Sequence, residues 1–443
     1  MPPFTLRFRT RFLLSLTITS MGFIPPSALA AEENYENEPI SYSKTAPEDA
    51  VTRLQQRLAE ADIKLPGDEK EILRLLLVEL DVPISSQLLV FSRTSLQRDR
   101  ISPQTPRAIY YSDTCYVGWV PGGLIEITAI DPQLGPTFYA VDPRKPGSPN
   151  GLEFQRDSDC LRCHGGHFVR GIPGVLARSV FPDSTGEPIF KFGSTLVDYR
   201  TPFEERWGGW YVTGQHGRTE HRGNIIATEA ENKVIFPTAD GANITDLSPF
   251  FDTSRYLAPT SDIVSFLVFE HQITVQNTIT KASIEARRML HYQAGLQEAF
   301  KEPITDEPVY DSVKSVFASV TREVVDALLS KDEAPLPFGI KGIPEFGHDY
   351  ASESVKSRDG KSLRELTVRR HLYRYRCSPL IYSPMFQAMP GPLKRQIYET
   401  LKIVLSADSD DERYDYIGKD ERAAIRTILA ETLPEFRSIL AQS

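Results

Sequence analysis

The chain has 443 residues, and its 59 acidic and 50 basic side chains give a formal charge of −9. This acidic balance argues against a nucleic-acid partner, because neutralising phosphates takes clustered Lys and Arg. The length allows a large core and predicts two packed regions.

Residues 1–30 have the three parts of a secretory signal peptide. Arginines within residues 7–11 form a basic start, and the apolar stretch over residues 12–24 is too short to span a bilayer. Ala28-Leu29-Ala30 is a small-x-small cleavage site, so we expect the mature chain to begin at Ala31, the alternative being an uncleaved anchor. Cleavage would remove three arginines and no acid, which changes the formal charge from −9 to −12. After residue 30 no apolar run is long enough for a transmembrane helix.

Residues 31–260 are predicted to be strand-rich after two N-terminal helices, which hydrophobic periodicity places over 46–61 and 69–80. Short β-branched or aromatic runs, separated by Pro, Gly and Asp, predict strands over 88–91, 108–111, 116–120, 124–130, 137–141, 175–181, 188–192 and 210–213. Residues 183–186 are predicted to be a hairpin loop, and residues 214–260 a long loop region.

Residues 261–443 are predicted to be mostly helical. The helices are expected over 262–300, 311–329, 362–375, 392–405 and 420–429, with a Pro-rich linker over 334–344. We expect Thr260 or Ser261 to cap the first of them, and a capping box of Ser362 and Glu365 to begin the third. The fold class that follows is α+β, with a strand-rich N-terminal half that carries the motif described next and a helical C-terminal half.

The motif is Cys160-Leu161-Arg162-Cys163-His164, which matches the C-x-x-C-H pattern of covalent haem c attachment. The two thiols would form thioethers with the porphyrin vinyl groups, and the adjacent imidazole would bind the iron. The preceding Asp157-Ser158-Asp159 is suited to capping a short helical turn. We therefore expect one covalent haem c, with its iron, on Cys160, Cys163 and His164.

Two other kinds of site could use the same pair of cysteines. A zinc site would need further ligands at a set spacing, and only His167 is close. A redox dithiol would open a helix after a strand, whereas Gly165-Gly166 follows here.

The pentapeptide resembles the attachment motif of c-type cytochromes, over five of the 443 residues. The small members of that class are much shorter and carry the motif near the mature N-terminus. The layout here resembles large exported bacterial proteins that embed one haem c segment in an otherwise unfamiliar domain. The resemblance implies attachment outside the cytoplasm, in the periplasm or an equivalent exported location, which agrees with the signal peptide.

The sixth iron ligand decides between functions, since two strong ligands favour electron transfer and an open position favours small-molecule chemistry. His271 is the first candidate, because on a helix its neighbours Val264, Leu267, Val268 and Val275 form an apolar stripe. Its alternative is a core histidine satisfied by a hydrogen bond.

His216 and His221 are the next candidates, because they follow the aromatic group over residues 207–211 and have glycines beside them. Their alternative is a polar surface loop. The remaining histidines and methionines are less suited to iron ligation. We expect His167 to face a propionate or solvent. The others are expected at core or surface positions: Met289, Met385, Met389, His291, His348 and His371.

Two further features are weaker. Cys115 and Cys377 are expected to be buried thiols rather than a disulfide, since both lie among apolar or aromatic residues. The arginines between residues 364 and 376 are expected to form the solvated face of a basic helix, with salt bridges. The alternatives are that they neutralise haem propionates or dock an acidic partner.

The sequence thus predicts an exported c-type cytochrome that transfers single electrons to a redox protein or small molecule. The alternatives are a peroxidase-like haem oxidoreductase with an open or weak sixth position, and a sensory or structural haem module.

Overall fold

The computed structural model describes residues 35–60, 65–145 and 152–442. The predicted signal peptide and its cleavage site lie outside these ranges. The helices are α1 Ala50–Glu60, α2 Glu69–Glu79, α3 Leu161–His164, α4 Ile263–Phe300, α5 Asp311–Leu328, α6 Pro344–Ser352, α7 Pro384–Gln387, α8 Gly391–Val404, α9 Lys419–Thr432 and α10 Pro434–Ala441. The strands are β1 Leu88–Val90, β2 Arg107–Tyr111, β3 Cys115–Trp119, β4 Ile125–Asp131, β5 Gly135–Val141, β6 Gln155–Arg156, β7 Arg178–Val180, β8 Ser194–Leu196, β9 Trp210–Tyr211, β10 Thr228–Ala230 and β11 Lys233–Ile235. Strands in the N-terminal half and helices in the C-terminal half confirm the α+β class.

A seven-stranded antiparallel sheet in the order β6-β5-β4-β3-β2-β1-β9 is the centre of the strand-rich half. Its middle is a meander, since β1 to β5 are neighbours in chain order. The register places Ile109 opposite Gly118, and Gly118 opposite Glu126. Two small hairpins, β7–β8 and β10–β11, lie outside this sheet.

The sheet separates two hydrophobic cores, because alternate side chains along a strand point to opposite faces. On one face Val117 and Ile127 pack with α1 and α2. On the other face Tyr111 and Tyr116 pack with α4, and this second core continues into α5, α8 and α9. The strand-rich and helical regions of the chain therefore share one core.

Helix α4 is the longest element, with 38 residues. Asp262 caps it, by accepting hydrogen bonds from the backbone N–H of Val264 at 3.0 Å and of Ser265 at 2.9 Å. The predicted cap at Thr260 or Ser261 was one or two residues early. In the part of the chain that the structure describes, no helix has the length and hydropathy to cross a membrane.

The segment 362–375 is not a helix, although the capping-box bond is present: the Ser362 N–H donates to the Glu365 carboxylate at 3.0 Å. The chain instead doubles back at Val368, whose φ is +45°, and Leu366 pairs with Tyr373. This turn lets both Leu363 and Tyr373 be buried. Tertiary burial thus outweighs the local helix signal.

The predicted strand over 188–192 is also wrong. Residues Phe190–Phe192 form a single 3₁₀ turn, and β7 pairs with β8 instead. The predicted hairpin loop is present, because Asp183 accepts from the N–H groups of Thr185 and Glu187. Short helices α6, α7 and α10 were missed; each has a proline in its first turn, a signal for a helix start.

Candidate functional site

The C-x-x-C-H segment forms a 3₁₀ turn, Ser158–Cys160, that continues into α3. Asp157 caps this turn by accepting from the Asp159 N–H at 2.8 Å, as the sequence predicted. Leu161 is buried beneath, whereas Cys160 is half-buried and Cys163 exposed. Both cysteines are unpaired, so both thiols are available for a covalent bond.

His164 is held by a backbone carbonyl. Its Nδ1 lies 2.9 Å from the carbonyl oxygen of Gly174, and the Gly174 N–H donates to the His164 carbonyl at 2.8 Å. Because a carbonyl only accepts, Nδ1 carries the proton and Nε2 keeps its lone pair. Burial lowers the pKa of His164, so the imidazole is neutral. Iron ligation requires this form, and metal-bound histidines typically make such a second hydrogen bond.

The Gly174 carbonyl is itself fixed, through its neighbour Val175. The Asn277 side chain of α4 accepts from the Val175 N–H at 2.9 Å and donates to the Val175 carbonyl at 2.7 Å. Added atoms at Gly174 would meet the Asn277 side chain and Val169. The long helix therefore positions the loop that orients His164.

A cavity of about 130 Å³ lies beside the motif, and Cys160, Cys163 and His164 all line it. Its other walls come from one face of the sheet, from the loop over residues 92–96, and from Arg178 and Trp210. Phe138 also lines it and packs on the His164 ring, with 5.1 Å between ring centroids.

Arg107 and Glu126 form an ion pair of 2.5 Å on the sheet face that lines this cavity. Gly118 of β3 lies opposite Glu126, and a Cβ there would collide with the Arg107 guanidinium. Arg107 Nε is buried without a hydrogen-bond partner among the described residues. Burial is the main cause that raises the pKa of the Cys160 thiol to about 12, and the charges of Asp157 and Glu126 add to it. This cysteine is therefore protonated at neutral pH.

Arg178 lies at the rim between two aromatic rings. Its guanidinium is 5.0 Å from the ring centroid of Phe168 and 5.4 Å from that of Phe190. These two rings are 50% and 54% exposed, so the rim is both apolar and cationic. Arg178 donates to the Ser194 hydroxyl at 2.9 Å. No carboxylate in the described ranges lies within ion-pair distance of it.

His271 is fully enclosed in α4 and does not line this cavity. Its ring packs between Tyr199, at 5.4 Å, and Tyr373, at 4.9 Å. Its Nε2 is buried, with no hydrogen-bond partner in the described part of the chain. Burial alone lowers the pKa of His271 to about 3. Its role as an iron ligand stays a prediction.

His216 and His221 lie together, with ring centroids 4.6 Å apart, and both are buried rather than on a surface loop. His216 uses both ring nitrogens: Nδ1 lies 2.6 Å from the Thr219 carbonyl, and Nε2 accepts from the Asn243 N–H at 2.9 Å. His221 Nδ1 accepts from the Gly223 N–H at 3.0 Å. Neither histidine lines the cavity beside His164, and their ligand role also stays a prediction.

The other singled-out residues have structural contacts. Cys115 and Cys377 are buried, unpaired thiols in the two separate cores. The expected basic helix is absent: Arg364 pairs with Asp113 at 2.6 Å and Arg376 with Glu421 at 2.6 Å. These arginines tie distant segments together.

The donor set fits a covalent haem c: two free thiols and a neutral imidazole with one free nitrogen. The cavity volume is smaller than the about 300–1,000 Å³ of typical ligand pockets, so the cavity would enclose only part of a porphyrin. For zinc, the described residues contain no group of three or more His, Cys, Asp or Glu side chains arranged to hold an ion. No sequence pattern pairs Arg107 with Glu126 or His164 with Gly174; only the glycine inside a strand at 118 signals a close approach.

No family model, curated protein or solved structure matches the chain. Its function is therefore argued from the site.

Proposed function

We propose that this chain is an exported single-haem c-type protein, with the haem joined to Cys160 and Cys163 and its iron bound by His164. The observation that carries the proposal is the bond between His164 Nδ1 and the Gly174 carbonyl, which leaves Nε2 free beside two unpaired thiols. A haem bound there would supply redox chemistry at iron.

The surrounding residues have separate tasks in this proposal. Gly174 and Phe138 hold the imidazole plane. Arg178 places positive charge at the cavity, where a haem propionate could be neutralised, whereas the charge of Arg107 is balanced by Glu126. Asn277 keeps the loop of Gly174 against α4.

The leading activity is a small-molecule reaction of the oxidoreductase type, such as peroxidase-like chemistry. Seven other histidines, and three methionines after residue 30, occur in the sequence. All ten lie in the described ranges, and none lines the cavity beside His164. A haem protein without a second strong ligand favours binding and reaction of small molecules.

One-electron transfer to a redox protein or small molecule is the second candidate. It is favoured by the exposure of Cys163 and of the rim rings Phe168 and Phe190, which brings the site to the surface. This activity calls for a strong sixth ligand, for which His271 is the first candidate and His216 and His221 the next.

Covalent attachment is tested on protein expressed in a periplasm with a c-type maturation system. We expect the intact mass after acid–acetone extraction to equal the chain from Ala31 plus one haem. The Cys160→Ser, Cys163→Ser double variant should lose all haem, and Cys377→Ala, which changes a buried cysteine elsewhere, should keep it. Complete extraction of haem from the parent protein, or stoichiometric zinc in it, would refute the proposal.

Spectra of the same holoprotein distinguish the two activities. A high-spin ferric spectrum and ready binding of carbon monoxide by the ferrous form are expected for the leading activity. A low-spin spectrum without carbon monoxide binding would favour electron transfer instead. In that case His271→Ala, His216→Ala and His221→Ala identify the ligand, because only the variant of the ligand becomes high-spin.

A further inference from the structure

A second cavity, of about 600 Å³, shares no residue with the C-x-x-C-H cavity. It lies between the N-terminal segment around Ile40, the C-terminal third of α4 and the residues that lead into α8. Its volume is within the about 300–1,000 Å³ range of small-molecule sites. Nothing in the proposed haem chemistry uses it.

Arg287 of α4 is the arginine on its wall. The side chain is half-buried; it donates to the Ala388 carbonyl at 2.7 Å and approaches the Ser283 hydroxyl at 3.4 Å. In the described ranges it has no ion-pair partner, whereas its neighbour Arg288 pairs with Glu285 at 3.5 Å. Partial burial also lowers the pKa of Arg287, although the charge of Asp131 acts to raise it.

Asp131 does not neutralise Arg287 by contact. Its carboxylate oxygens accept from the backbone N–H groups of Glu48, Gln133 and Leu134, at 2.6 to 2.7 Å. Partial burial of a cation without a contacting anion costs free energy. A ligand with a negative charge would offset that cost by pairing with the guanidinium.

About half of the wall is hydrocarbon, to which Ile40, Leu290 and Met389 contribute. The carboxylate of Glu38 is 3.7 Å from His291, a lining residue whose side chain is half-exposed. The exposed Asp306 also lines the cavity. One arginine beside this hydrocarbon part of the wall suits a planar carboxylate better than a phosphate, which needs more donors.

We propose that this cavity binds a small monocarboxylate with an apolar body, its carboxylate on Arg287 and its hydrocarbon part against Ile40, Leu290 and Met389. The acids near the opening disfavour a second negative charge on the ligand. The site is independent of the haem proposal, because none of its residues belongs to that site.

The test is calorimetric titration of the full-length protein with hexanoate, and with acetate and hexylamine as probes that lack the apolar body or the charge. We expect saturable binding of hexanoate, at least tenfold weaker binding of acetate, and none of hexylamine. Arg287→Gln should weaken hexanoate binding at least tenfold, whereas Arg288→Gln, one residue along the same helix, should leave it unchanged.

A second variant keeps the proposal testable if Arg287→Gln fails to fold. Ala294→Phe adds bulk to the cavity wall two turns further along α4, and it should also weaken hexanoate binding at least tenfold. Absence of hexanoate binding by the parent protein, or equal binding by the parent and a folded Arg287→Gln variant, would overturn the proposal. Both readouts are independent of haem content.

Discussion

At the scale of single residues, the partners and surroundings of the ring nitrogens distinguish His164 from His216 and His271. His164 Nδ1 donates a hydrogen bond to the Gly174 carbonyl, and the ring lines a cavity. His216 has both nitrogens occupied, and His271 has an unpartnered Nε2 but lies between two tyrosine rings. Residue type alone does not distinguish these cases; the partner atoms do.

The buried ring of His271 makes a prediction about acid stability. Burial lowers its pKa from 6.5 to about 3, so the unfolded chain binds one proton more than the folded chain between these values. Stability is therefore lost as the pH falls below 6.5. His271→Leu should remove this loss. Between pH 7 and pH 5, the free energy of unfolding of this variant should therefore fall by about 2 kcal/mol less than that of the parent protein.

The measurement is urea denaturation at pH 7, 6 and 5. The raised pKa of Glu270 acts in the opposite direction but is present in both proteins, so the difference isolates His271. His348→Gln, at a histidine whose side chain is 86% exposed, is the matched control and should behave as the parent does. Identical pH dependence of His271→Leu and parent would contradict the prediction.

At the scale of elements, α4 connects the two halves through a buried charge. The Glu270 carboxylate accepts from Arg206 at 2.7 Å and from the Trp207 indole at 2.6 Å, and the Arg206 and Glu270 side chains are only 2% and 1% exposed. Burial raises the pKa of Glu270 to about 7, although Arg206 and Trp207 act to lower it. The network fixes the loop before β9 to the N-terminal part of the helix.

Replacing one partner of this network should lower the free energy of unfolding more than replacing both partners. Arg206→Met leaves a buried carboxylate without its cation and should lower the free energy of unfolding by about 3–5 kcal/mol. The Arg206→Met, Glu270→Met double variant should regain part of that loss, since no buried charge remains unpaired. Urea denaturation of the three proteins at pH 7.5 measures the difference.

The control is the exposed pair of Arg57 and Glu79, 2.9 Å apart, where Arg57→Met should cost less than about 1 kcal/mol. A double variant less stable than Arg206→Met would show that the network adds net stability beyond its charge balance.

At the scale of the whole molecule, the strand-rich and helical regions depend on each other. Tyr111 of β2 packs on Phe269 of α4, at 5.3 Å between ring centroids, and donates to the Ser265 carbonyl at 2.7 Å. The residues that the structure describes, over 35–60, 65–145 and 152–442, belong to one compact unit. Neither half could bury its share of this core alone.

We therefore expect residues 31–260 and 261–443, each expressed alone, to lack a cooperative urea transition and near-ultraviolet circular dichroism. Each fragment should bind a hydrophobic dye, because the faces that meet between β2 and α4 would be exposed. The full-length chain is the control, with a cooperative transition and little dye binding. A cooperative transition in either fragment would show that it folds independently.

Local signals in the sequence were enough for much of this protein. The limits of α4 and α5, and the strands of the central meander, follow from hydrophobic periodicity and from turn residues, which act between neighbours in the chain. The cap by Asp157 and the C-x-x-C-H segment are local for the same reason. The motif, with its two cysteines and His164, is therefore recognisable from the amino-acid sequence alone.

Only the tertiary structure decided what lies around the motif. Residues 362–375 carry a helix signal, yet burial of Leu363 and Tyr373 turns the chain back on itself. The Gly174 carbonyl, the Arg107–Glu126 pair and the enclosure of His271 join residues from separate elements. Their distances depend on how the sheet and α4 pack, and periodicity along the chain contains no information about that packing.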